Sequence, residues 1–337
     1  MRRALLVNAE YKIQLLDRVA DLGPSIEQNS PAMAKGPTGK SLTAAETPPY
    51  VLVRIEYAAL NFRDYIIGSG RYGAPPHDYV AGNEGAGVVL DSTAPDFRPG
   101  DAVFVNGHGL GEKRPGTMSG QVRLPPEAVI HLPDAMTTLQ AATVGVAALV
   151  TFAADRVFGP GPVAVTGAMG GTGRVAAACF ARAGRDVTAL TRDPARATPL
   201  TELGIGTILP PPTEIERAAE GFGPESYAAV VDVTGDMLNW LTRQMRTGGV
   251  IALAGFAATN RPDLSALAVI LRNLRLIGVN SGLAPSDKAQ ALHWVAATLH
   301  PGDYPLLAHP ADPQDIAPLM RDFAGARGRG RIVVTLQ

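Results

Sequence analysis

The sequence predicts an α/β protein with two domains, one rich in β-strands and one built on a doubly wound parallel sheet. Three observations predict this fold class. The 337 residues are enough for two sizeable cores, and 46% of them are hydrophobic. Short β-like runs with frequent turn signals fill the first 133 residues. From about residue 137 onward, wholly apolar strands alternate with helices, which is typical of a parallel sheet buried on both faces.

The composition narrows the classes of partner. The 30 basic and 31 acidic residues give a formal net charge of −1, so we expect neither a nucleic acid nor a membrane as partner. The single cysteine excludes a disulfide framework and any cysteine-rich zinc or iron–sulfur site. The apolar run at residues 4–7 is too short for the core of a signal peptide, so we interpret it as a strand and expect a cytoplasmic protein.

The β-rich domain is predicted to comprise residues 1–133 and 302–337. Its strands are expected at residues 4–7, 50–57, 85–90, 102–105 and 121–124. Residues 23–49 are rich in Ser, Pro, Thr, Ala and Gly and have almost no apolar periodicity, which predicts a surface loop. The last β-run, residues 331–336, is predicted to return to this domain because the parallel sheet already has six strands.

The second domain is predicted to comprise residues 134–301. Its strands are expected at residues 162–165, 186–190, 207–209, 228–233, 250–254 and 274–279, and its helices at 174–183, 195–203, 238–246 and 264–273. The uncharged stretch 135–154 contains several threonines and lacks the aromatic and basic flanks of a membrane span. We therefore interpret it as a buried helix.

A glycine-rich turn between the first strand and the first helix of the parallel sheet is the strongest local signal. Its residues are Gly167, Ala168, Met169, Gly170, Gly171, Thr172 and Gly173. Glycines allow the backbone to approach a diphosphate closely, and the N–H groups and positive end of the following helix hold that anion. In this context the turn predicts a Rossmann dinucleotide-binding domain, although a purely structural glycine turn is the alternative.

The end of the second parallel strand indicates which dinucleotide binds. This strand ends in Thr191 and Arg192, with Arg196 close behind. An arginine can pair with a 2′-phosphate and a threonine can donate a hydrogen bond to it, so we predict NADPH as the cofactor. Asp193 is the opposing signal for NAD, but it lies beyond the end of the strand. Alternatively, the two arginines belong to a solvated helix start.

Six segments carry a resemblance to a known family. They are residues 59–64, 82–87, 107–112, 231–235 and 270–279, together with the glycine turn. On these segments the chain resembles the zinc-independent quinone-oxidoreductase branch of the medium-chain dehydrogenase/reductases, and within it is most similar to the acryloyl-CoA reductase family. The resemblance covers nearly the whole chain apart from residues 20–49. It implies a GroES-like catalytic domain beside the Rossmann domain, and members that often form dimers, so a homodimer is expected.

The resemblance also implies chemistry without a metal. Zinc-dependent members place a cysteine and a histidine where this chain has Asn61 and Asn83, so we expect no catalytic zinc. Asn61 is our candidate for orienting the nicotinamide or the substrate, with a turn-capping amide as the alternative. Tyr72 matches a tyrosine near the nicotinamide in quinone reductases and is our candidate proton donor. A loop aromatic packed between the domains is its alternative.

Four further positions follow from the resemblance and are predicted to line the cofactor cleft. They are Gly255, Phe256, Ser281 and Arg331. The first three come directly after the fifth and sixth parallel strands, where ligands of such sheets bind.

The leading functional prediction is an NADPH-dependent reductase of an activated C=C bond in an α,β-unsaturated thioester or enone. In this reaction a hydride reaches the β-carbon and a proton the α-carbon. The substrate is expected to be a small molecule, either free or bound to CoA or a carrier. Three alternatives stay open: a quinone reductase, a catalytically silent NADPH-binding protein, and a non-redox biosynthetic protein. Met169 and Val146 stand where the acryloyl-CoA reductases have other residues, which leaves the identity of the thioester open.

Overall fold

The computed structural model describes residues 4–7, 13–16, 48–68, 79–218, 221–316, 318–319, 323 and 330–336. Within these residues the strand Ala4–Val7 (β1) pairs antiparallel with Ile13–Leu16 (β2) and with Tyr79–Val80 (β4) to form a small sheet. The predicted strand at residues 4–7 is therefore confirmed. Most of the predicted surface loop, up to residue 47, lies outside the described residues.

The second sheet holds the β-rich part of the chain together. Its strands are Val51–Leu60 (β3), Glu84–Ser92 (β5), Ala102–Asn106 (β6), Gln121–Leu124 (β7), Val129–His131 (β8), Ala308–Ala311 (β15) and Arg331–Thr335 (β16). Their order is β15-β16-β3-β5-β6-β8, and β7 pairs with β3. The last strand runs antiparallel to β3, with Ile332 opposite Leu60. This pairing confirms the predicted return of the C-terminal β-run to the first part of the chain.

The third sheet is parallel throughout and contains the six strands that the sequence predicts. They are Val163–Val165 (β9), Val187–Leu190 (β10), Thr207–Leu209 (β11), Tyr227–Asp232 (β12), Met245–Leu253 (β13) and Arg275–Gly278 (β14). Their order is β11-β10-β9-β12-β13-β14. The first parallel strand, β9, therefore lies in the middle of the sheet, and the strand order changes direction beside it. Such a reversal opens a crevice in which a ligand can bind.

The helices agree with the prediction in the parallel half, with shifted ends. They are Phe62–Gly68 (α1), Thr138–Asp155 (α2), Gly171–Arg182 (α3), Thr198–Glu202 (α4), Glu214–Ala218 (α5), Leu238–Gln244 (α6), Ala266–Leu271 (α7), Pro285–Thr298 (α8) and Tyr304–Leu307 (α9). The helix predicted at 174–183 begins three residues earlier because the glycines of the turn already adopt helical geometry. The helix predicted at 238–246 ends sooner because β13 begins at Met245. The sequence did not predict α1, α5, α8 or α9.

Helix α2 lies between the two halves of the protein and packs against the β-rich sheet on one side and against α3 and α8 on the other. A capping box between Thr137 and Gln140 fixes its start. By length and composition it is the one helix in the described residues that is apolar enough to cross a membrane. However, 61% of this 18-residue stretch is buried inside the protein. The predicted buried helix is thus present. It is interrupted at Gly145, whose φ of 38° and ψ of −136° lie outside the helical region.

Two large groups of buried apolar side chains flank α2. One contains Val51, Val103 and Val122 of the β-rich sheet. The other surrounds α2 and α3 on the parallel sheet and also takes in Phe104 from the β-rich sheet. These two groups of buried side chains meet at α2. The domain boundaries at residues 133/134 and 301/302 therefore stay a prediction.

Candidate active site

A cavity of about 1360 Å³ lies between the β-rich sheet and the parallel sheet. Residues that follow the carboxyl ends of β9, β10, β12 and β13 form its floor, which is where ligands bind in doubly wound sheets. Its opposite wall comes from the end of β3, helix α1 and the start of β16. The volume exceeds the roughly 300–1,000 Å³ of a typical single-ligand pocket, so it has room for a cofactor and a substrate together.

The glycine turn lines one end of this cavity and is shaped for close approach. Gly167 has a φ of +57°, a conformation that favours glycine. A Cβ atom at Gly173 would lie only 2.4 Å from the carbonyl oxygen of Gly167. The N-cap of α3 is Gly170, which has no side chain to accept hydrogen bonds from the first turn of the helix. The N–H groups and the positive end of α3 therefore face the cavity in a form that suits a diphosphate.

Most of the predicted cofactor residues line the cavity. They are Gly167, Met169, Gly170, Gly171, Thr172, Gly173, Thr191, Arg192, Gly255, Phe256, Ser281 and Arg331. Ala168 does not belong to the wall. Its side chain is fully buried behind the turn, and its N–H donates to the carbonyl oxygen of Leu190 at 3.1 Å. The turn directs this side chain into the core, and the cofactor-binding role of Ala168 stays a prediction.

Three arginines border the cavity beyond β10. Arg192 and Arg196 come from the segment that the sequence indicated, and Arg217 is added by α5. Arg196 pairs with Asp193 at 3.2 Å, and Arg217 pairs with Asp236 at 3.5 Å. Arg217 was missed because it is 25 positions beyond Arg192, and only the fold brings α5 to the same end of the cavity.

A buried carboxylate behind the turn holds the floor in place. Asp232 at the end of β12 is fully buried and accepts hydrogen bonds from the Thr166 hydroxyl at 2.6 Å, the Thr234 N–H at 3.1 Å and the Gly235 N–H at 3.1 Å. These bonds tie the ends of β9 and β12 together. Asp232 was not singled out from the sequence, where the only signal for it is a lone Asp at the end of an apolar strand within the family segment 231–235.

At the other end of the cavity, Asn61 belongs to a buried polar network. Its Nδ2 donates to Asn83 Oδ1 at 2.8 Å and to Glu84 Oε1 at 2.7 Å, and its Oδ1 accepts from Arg331 Nη1 at 3.2 Å. Arg331 also forms a salt bridge with Glu84, and the two side chains are 2% and 0% exposed. The structure thus joins two predicted residues, Asn61 and Arg331, through a carboxylate that the sequence did not single out.

The break in α2 completes this network. At Gly145 the helix turns aside, and the N–H of Val146 donates to Glu84 Oε2 at 2.5 Å. A Cβ atom at Gly145 would lie 2.1 Å from the same oxygen. Arg331 in turn packs against Gly171, where a Cβ atom would lie 3.1 Å from its Cγ. Arg331 therefore connects the Asn61 network to the glycine turn.

Helix α1 forms the rim of the cavity. The carboxylate of Asp64 accepts from the N–H of Asn61 at 2.8 Å and from the N–H of Gly82 at 2.9 Å. Burial raises the pKa of Asp64 to about 6. Phe62 of α1 meets Phe256 of the opposite wall edge to face, with ring centroids 5.9 Å apart. The rim thus contains an aromatic contact across the cleft.

A few predictions are not tested at the site. Tyr72 lies outside the described residues, so its role stays a prediction. Asn61 and Asn83 contact each other directly. In the part of the chain that the structure describes, no three His, Cys, Asp or Glu side chains are grouped closely enough to hold a metal ion.

Comparisons with known proteins agree with this architecture. Residues 47–134 match the family model described as alcohol dehydrogenase GroES-like domain, and residues 171–297 match the one described as zinc-binding dehydrogenase. The chain is 31% identical to the acrylyl-CoA reductase AcuI of Ruegeria pomeroyi over 306 residues, which is 88% of this chain and 93% of that protein. It is 26% identical to the putative quinone oxidoreductase YhfP of Bacillus subtilis, over 85% of this chain and 90% of that protein.

A solved structure supports the same relationship. YhdH of Escherichia coli K-12, solved with bound NADPH, is 26% identical, covers 88% of this chain and 95% of its own, and superposes with a TM-score of 0.79. The predicted fold class, a GroES-like domain with a Rossmann domain, is confirmed. The chain is an oxidoreductase and belongs to the zinc-independent quinone-oxidoreductase branch of the medium-chain dehydrogenase/reductases.

Proposed function

We propose that the protein reduces an activated C=C bond, in an α,β-unsaturated thioester such as acryloyl-CoA or in an enone, with NADPH as the reductant. The observation that carries the proposal is one cavity with two different ends. One end offers the N–H groups of α3 and a cluster of arginines, and the other offers the amide of Asn61 inside a buried polar network. A dinucleotide fits the first end, and at the second the remaining lone pair of Asn61 Oδ1 can accept a hydrogen bond from the cofactor or the substrate.

The preference for NADPH rests on the residues beyond β10. Arg192, Arg196 and Arg217 outnumber the two aspartates that border the same part of the cavity. A guanidinium matches the oxygens of a 2′-phosphate, whereas a carboxylate in this position favours the ribose hydroxyls of NAD. Bound NADPH is also stated for the E. coli relative of known structure.

The chain's own groups have separate tasks in the proposed reaction. Bound NADPH would supply a hydride to the β-carbon of the substrate. The glycine turn and α3 would hold the diphosphate, and Asn61 would orient the reacting groups through its Oδ1, which keeps a second lone pair beside its bond to Arg331. The Tyr72 hydroxyl would donate to the developing enolate, after which the α-carbon receives the proton.

Two of the relatives favour a thioester over a simple enone as the substrate. They are the acrylyl-CoA reductase of Ruegeria pomeroyi, at 31% identity, and a protein of Escherichia coli named as a probable acrylyl-CoA reductase, at 29% identity. Arg63 at the cavity rim pairs with Glu112 across from it, and both side chains are more than a third exposed. We propose that this arginine meets the phosphates of CoA or of a carrier arm.

Quinone reduction is the second candidate, favoured by the aromatic rim. Phe62 and Phe256 meet edge to face across the cleft and offer an aromatic surface for a flat ring. The relative from Bacillus subtilis carries the name of a putative quinone oxidoreductase.

Steady-state oxidation of NADPH separates these candidates. Acryloyl-CoA, crotonyl-CoA, a simple enone and a naphthoquinone are compared at equal concentration. We expect the highest kcat/KM for an enoyl thioester, and a Tyr72→Phe variant that loses most of this activity while binding NADPH normally. Turnover of the quinone alone would establish the second candidate. Binding of NADPH without turnover of any compound would indicate the catalytically silent protein, and full activity of Tyr72→Phe would exclude Tyr72 as the proton donor.

We also propose that the protein works as a homodimer. Helix α7 exposes Leu267, Ile270 and Leu271, which are 56%, 72% and 61% accessible. It precedes β14, an edge strand of the parallel sheet. Exposed apolar side chains beside an open strand edge are typical of an interface between copies of a chain.

A further inference from the structure

Arg174 is a buried cation directly after the glycine turn. It lies in the first turn of α3 and is 5% exposed. Among the described residues no carboxylate lies within salt-bridge distance of it. Its partners are instead the carbonyl oxygen of Leu306, at 3.0 Å from Nη1, and the carbonyl oxygen of Met169, at 3.0 Å from Nη2. Its Nε is buried and has no hydrogen-bond partner.

This arrangement is costly in the protein by itself. A buried charge is normally paired with an opposite charge, because carbonyl dipoles replace only part of its lost hydration. The positive end of α3 adds to the cost, since a cation in the first turn of a helix opposes the helix dipole. Burial alone lowers the pKa of Arg174, to about 10, so the side chain keeps its charge at neutral pH.

The guanidinium also joins the turn to the C-terminal strand. Gly330, with a φ of +77°, sits so close to it that a Cβ atom would lie 2.7 Å from Nη1. The N–H of Gly330 donates to the same Met169 carbonyl, at 2.9 Å. Arg174 therefore supports, from behind, the two segments that border the diphosphate end of the cavity, the glycine turn and the start of β16.

We propose that Arg174 is a further dinucleotide-binding determinant, whose uncompensated charge is balanced by the cofactor diphosphate. It acts through the turn and does not itself line the cavity, so it is a positioning and electrostatic residue. The diphosphate is common to NADPH and NADH, so Arg174 strengthens the binding of both equally. This separates it from Arg192, which would act on the 2′-phosphate. The inference rests on the proposed use of a dinucleotide.

Nucleotide titration by fluorescence or calorimetry tests the proposal. Arg174→Gln and Arg174→Met remove the charge, and Arg174→Lys keeps it. We expect both neutral variants to bind NADPH and NADH about tenfold more weakly, with an unchanged ratio between the two, and Arg174→Lys to stay within about threefold of the wild type. The thermal midpoint of the nucleotide-free neutral variants should stay close to that of the wild type or rise, because an unpaired buried charge is gone.

The control is Arg182 at the far end of the same helix. It forms two hydrogen bonds with Asp303, at 2.9 and 2.6 Å. Arg182→Gln should lower the thermal midpoint and leave nucleotide affinity unchanged. Wild-type affinity in the neutral variants, an equal loss in Arg174→Lys, or failure of both neutral variants to fold would overturn the proposal, since each shows a structural role. Absence of nucleotide binding in the wild type would instead refute the proposed function.

Discussion

At the scale of single residues, the candidate site depends on charges that are removed from water. Glu84 and Arg331 are both almost fully buried and bonded to each other. Such a pair adds little net stability, because the lost hydration of both ions offsets their attraction, but removing one partner leaves an uncompensated buried charge. The pair therefore fixes the geometry of the Asn61 network, and replacing only one of its two members is expected to destabilise the protein.

This reasoning gives a prediction for the network around Asn61. Glu84→Gln should lower the free energy of unfolding by about 3–5 kcal/mol, and the double variant Glu84→Gln with Arg331→Met should recover part of the loss. Urea unfolding measures both. The control is Arg54→Gln in the pair Arg54–Glu56, where the arginine side chain is 53% exposed, and this change should alter stability by less than about 1 kcal/mol. If Glu84→Gln also lowered the free energy of unfolding by less than about 1 kcal/mol, the buried Glu84–Arg331 pair would not have the structural role assigned to it.

Arg192 gives a prediction about cofactor choice. It lines the cavity beyond β10, where a 2′-phosphate would lie. Arg192→Gln should weaken NADPH binding by about 10- to 100-fold, from the loss of a charge-assisted hydrogen bond of about 1.5–3 kcal/mol, and leave NADH binding within about twofold. Fluorescence titration with both nucleotides gives the ratio. Arg185→Gln, on the far side of α3, should change neither affinity. An unaltered ratio in Arg192→Gln would remove this residue from the selectivity site.

The raised pKa of Asp64 predicts that the stability of the protein depends on pH. Burial is the main cause that raises its pKa from 3.8 to about 6, and the Glu84 charge adds to this, whereas bonds from the N–H groups of Asn61 and Gly82 and the Arg63 charge act against it. Between these two values the unfolded chain has lost a proton that the folded protein keeps, so the stability contributed by this group falls as the pH rises and the loss is complete above about pH 6.

The expected size is about 3 kcal/mol, from about two pKa units at 1.36 kcal/mol each. About 2 kcal/mol of this falls above pH 4.5, so urea unfolding between pH 4.5 and 7.5 should show that the stability of the wild type, relative to Asp64→Asn, declines by about this amount up to slightly above pH 6 and then stays level. Asp134→Asn at an exposed position should follow the wild type at every pH. Parallel curves for Asp64→Asn and the wild type would refute the raised pKa.

At the scale of the elements, the interruption of α2 is the feature that places the polar network. An unbroken helix would use the Val146 N–H for its own ladder, and the bond to Glu84 would be lost. Gly145→Ala forces a Cβ atom against Glu84 at a positive φ, so we expect a loss of at least 2–3 kcal/mol, roughly the cost of local strain plus the steric clash. Thermal or urea unfolding measures it.

Gly159, just beyond the end of α2, is the matched control. A Cβ atom there would meet nothing within 4 Å, and its φ is not positive. Gly159→Ala should therefore change stability by less than about 0.5 kcal/mol. If Gly145→Ala were equally mild, the helix would be able to close without the break, and the network would not depend on it.

The elements also mark what the sequence could predict. All six parallel strands were predicted because each contains a short apolar run that is followed by a helix or a turn. Helix α1 was missed because it is only seven residues long and follows β3 with no glycine or proline between them. The glycine turn was located because glycine spacing is a local pattern. Glu84 was not singled out from the sequence, because its role depends on the contact with Arg331, which is 247 positions away in the sequence.

At the scale of the whole molecule, buried polar links hold the two walls of the cavity together. The N–H of Gly330, at the start of the C-terminal strand, donates to the carbonyl oxygen of Met169 in the glycine turn, whereas the adjacent Arg331–Glu84 pair lies within the β-rich sheet. Lys288 at the start of α8 donates to the carbonyl oxygen of Asn106 at 3.2 Å, although its side chain is 3% exposed. Burial lowers the pKa of Lys288. The bonds of Gly330 and Lys288 cross between the two halves, and Arg331 directly follows Gly330, so the Asn61 network is held at a fixed position beside the glycine turn.

The proposed dimer is the prediction that belongs to this scale. Strand β14 hydrogen-bonds to β13 on one side, and within the described residues its other edge is unpaired. If two copies met at this edge about a two-fold axis, the apolar side chains of α7 would be covered by the partner. Light scattering coupled to size exclusion should therefore give twice the chain mass of 35.1 kDa.

Charge placed on α7 should separate the copies. The double variant Leu267→Glu with Ile270→Glu puts two carboxylates where the apolar contact would form, and should elute at the monomer mass with its fold intact by circular dichroism. Leu139→Glu, at a side chain of comparable exposure near the start of α2, should leave the mass unchanged. A wild type that stays monomeric at all concentrations, or a double variant that stays dimeric, would show that the exposed face of α7 serves some other contact.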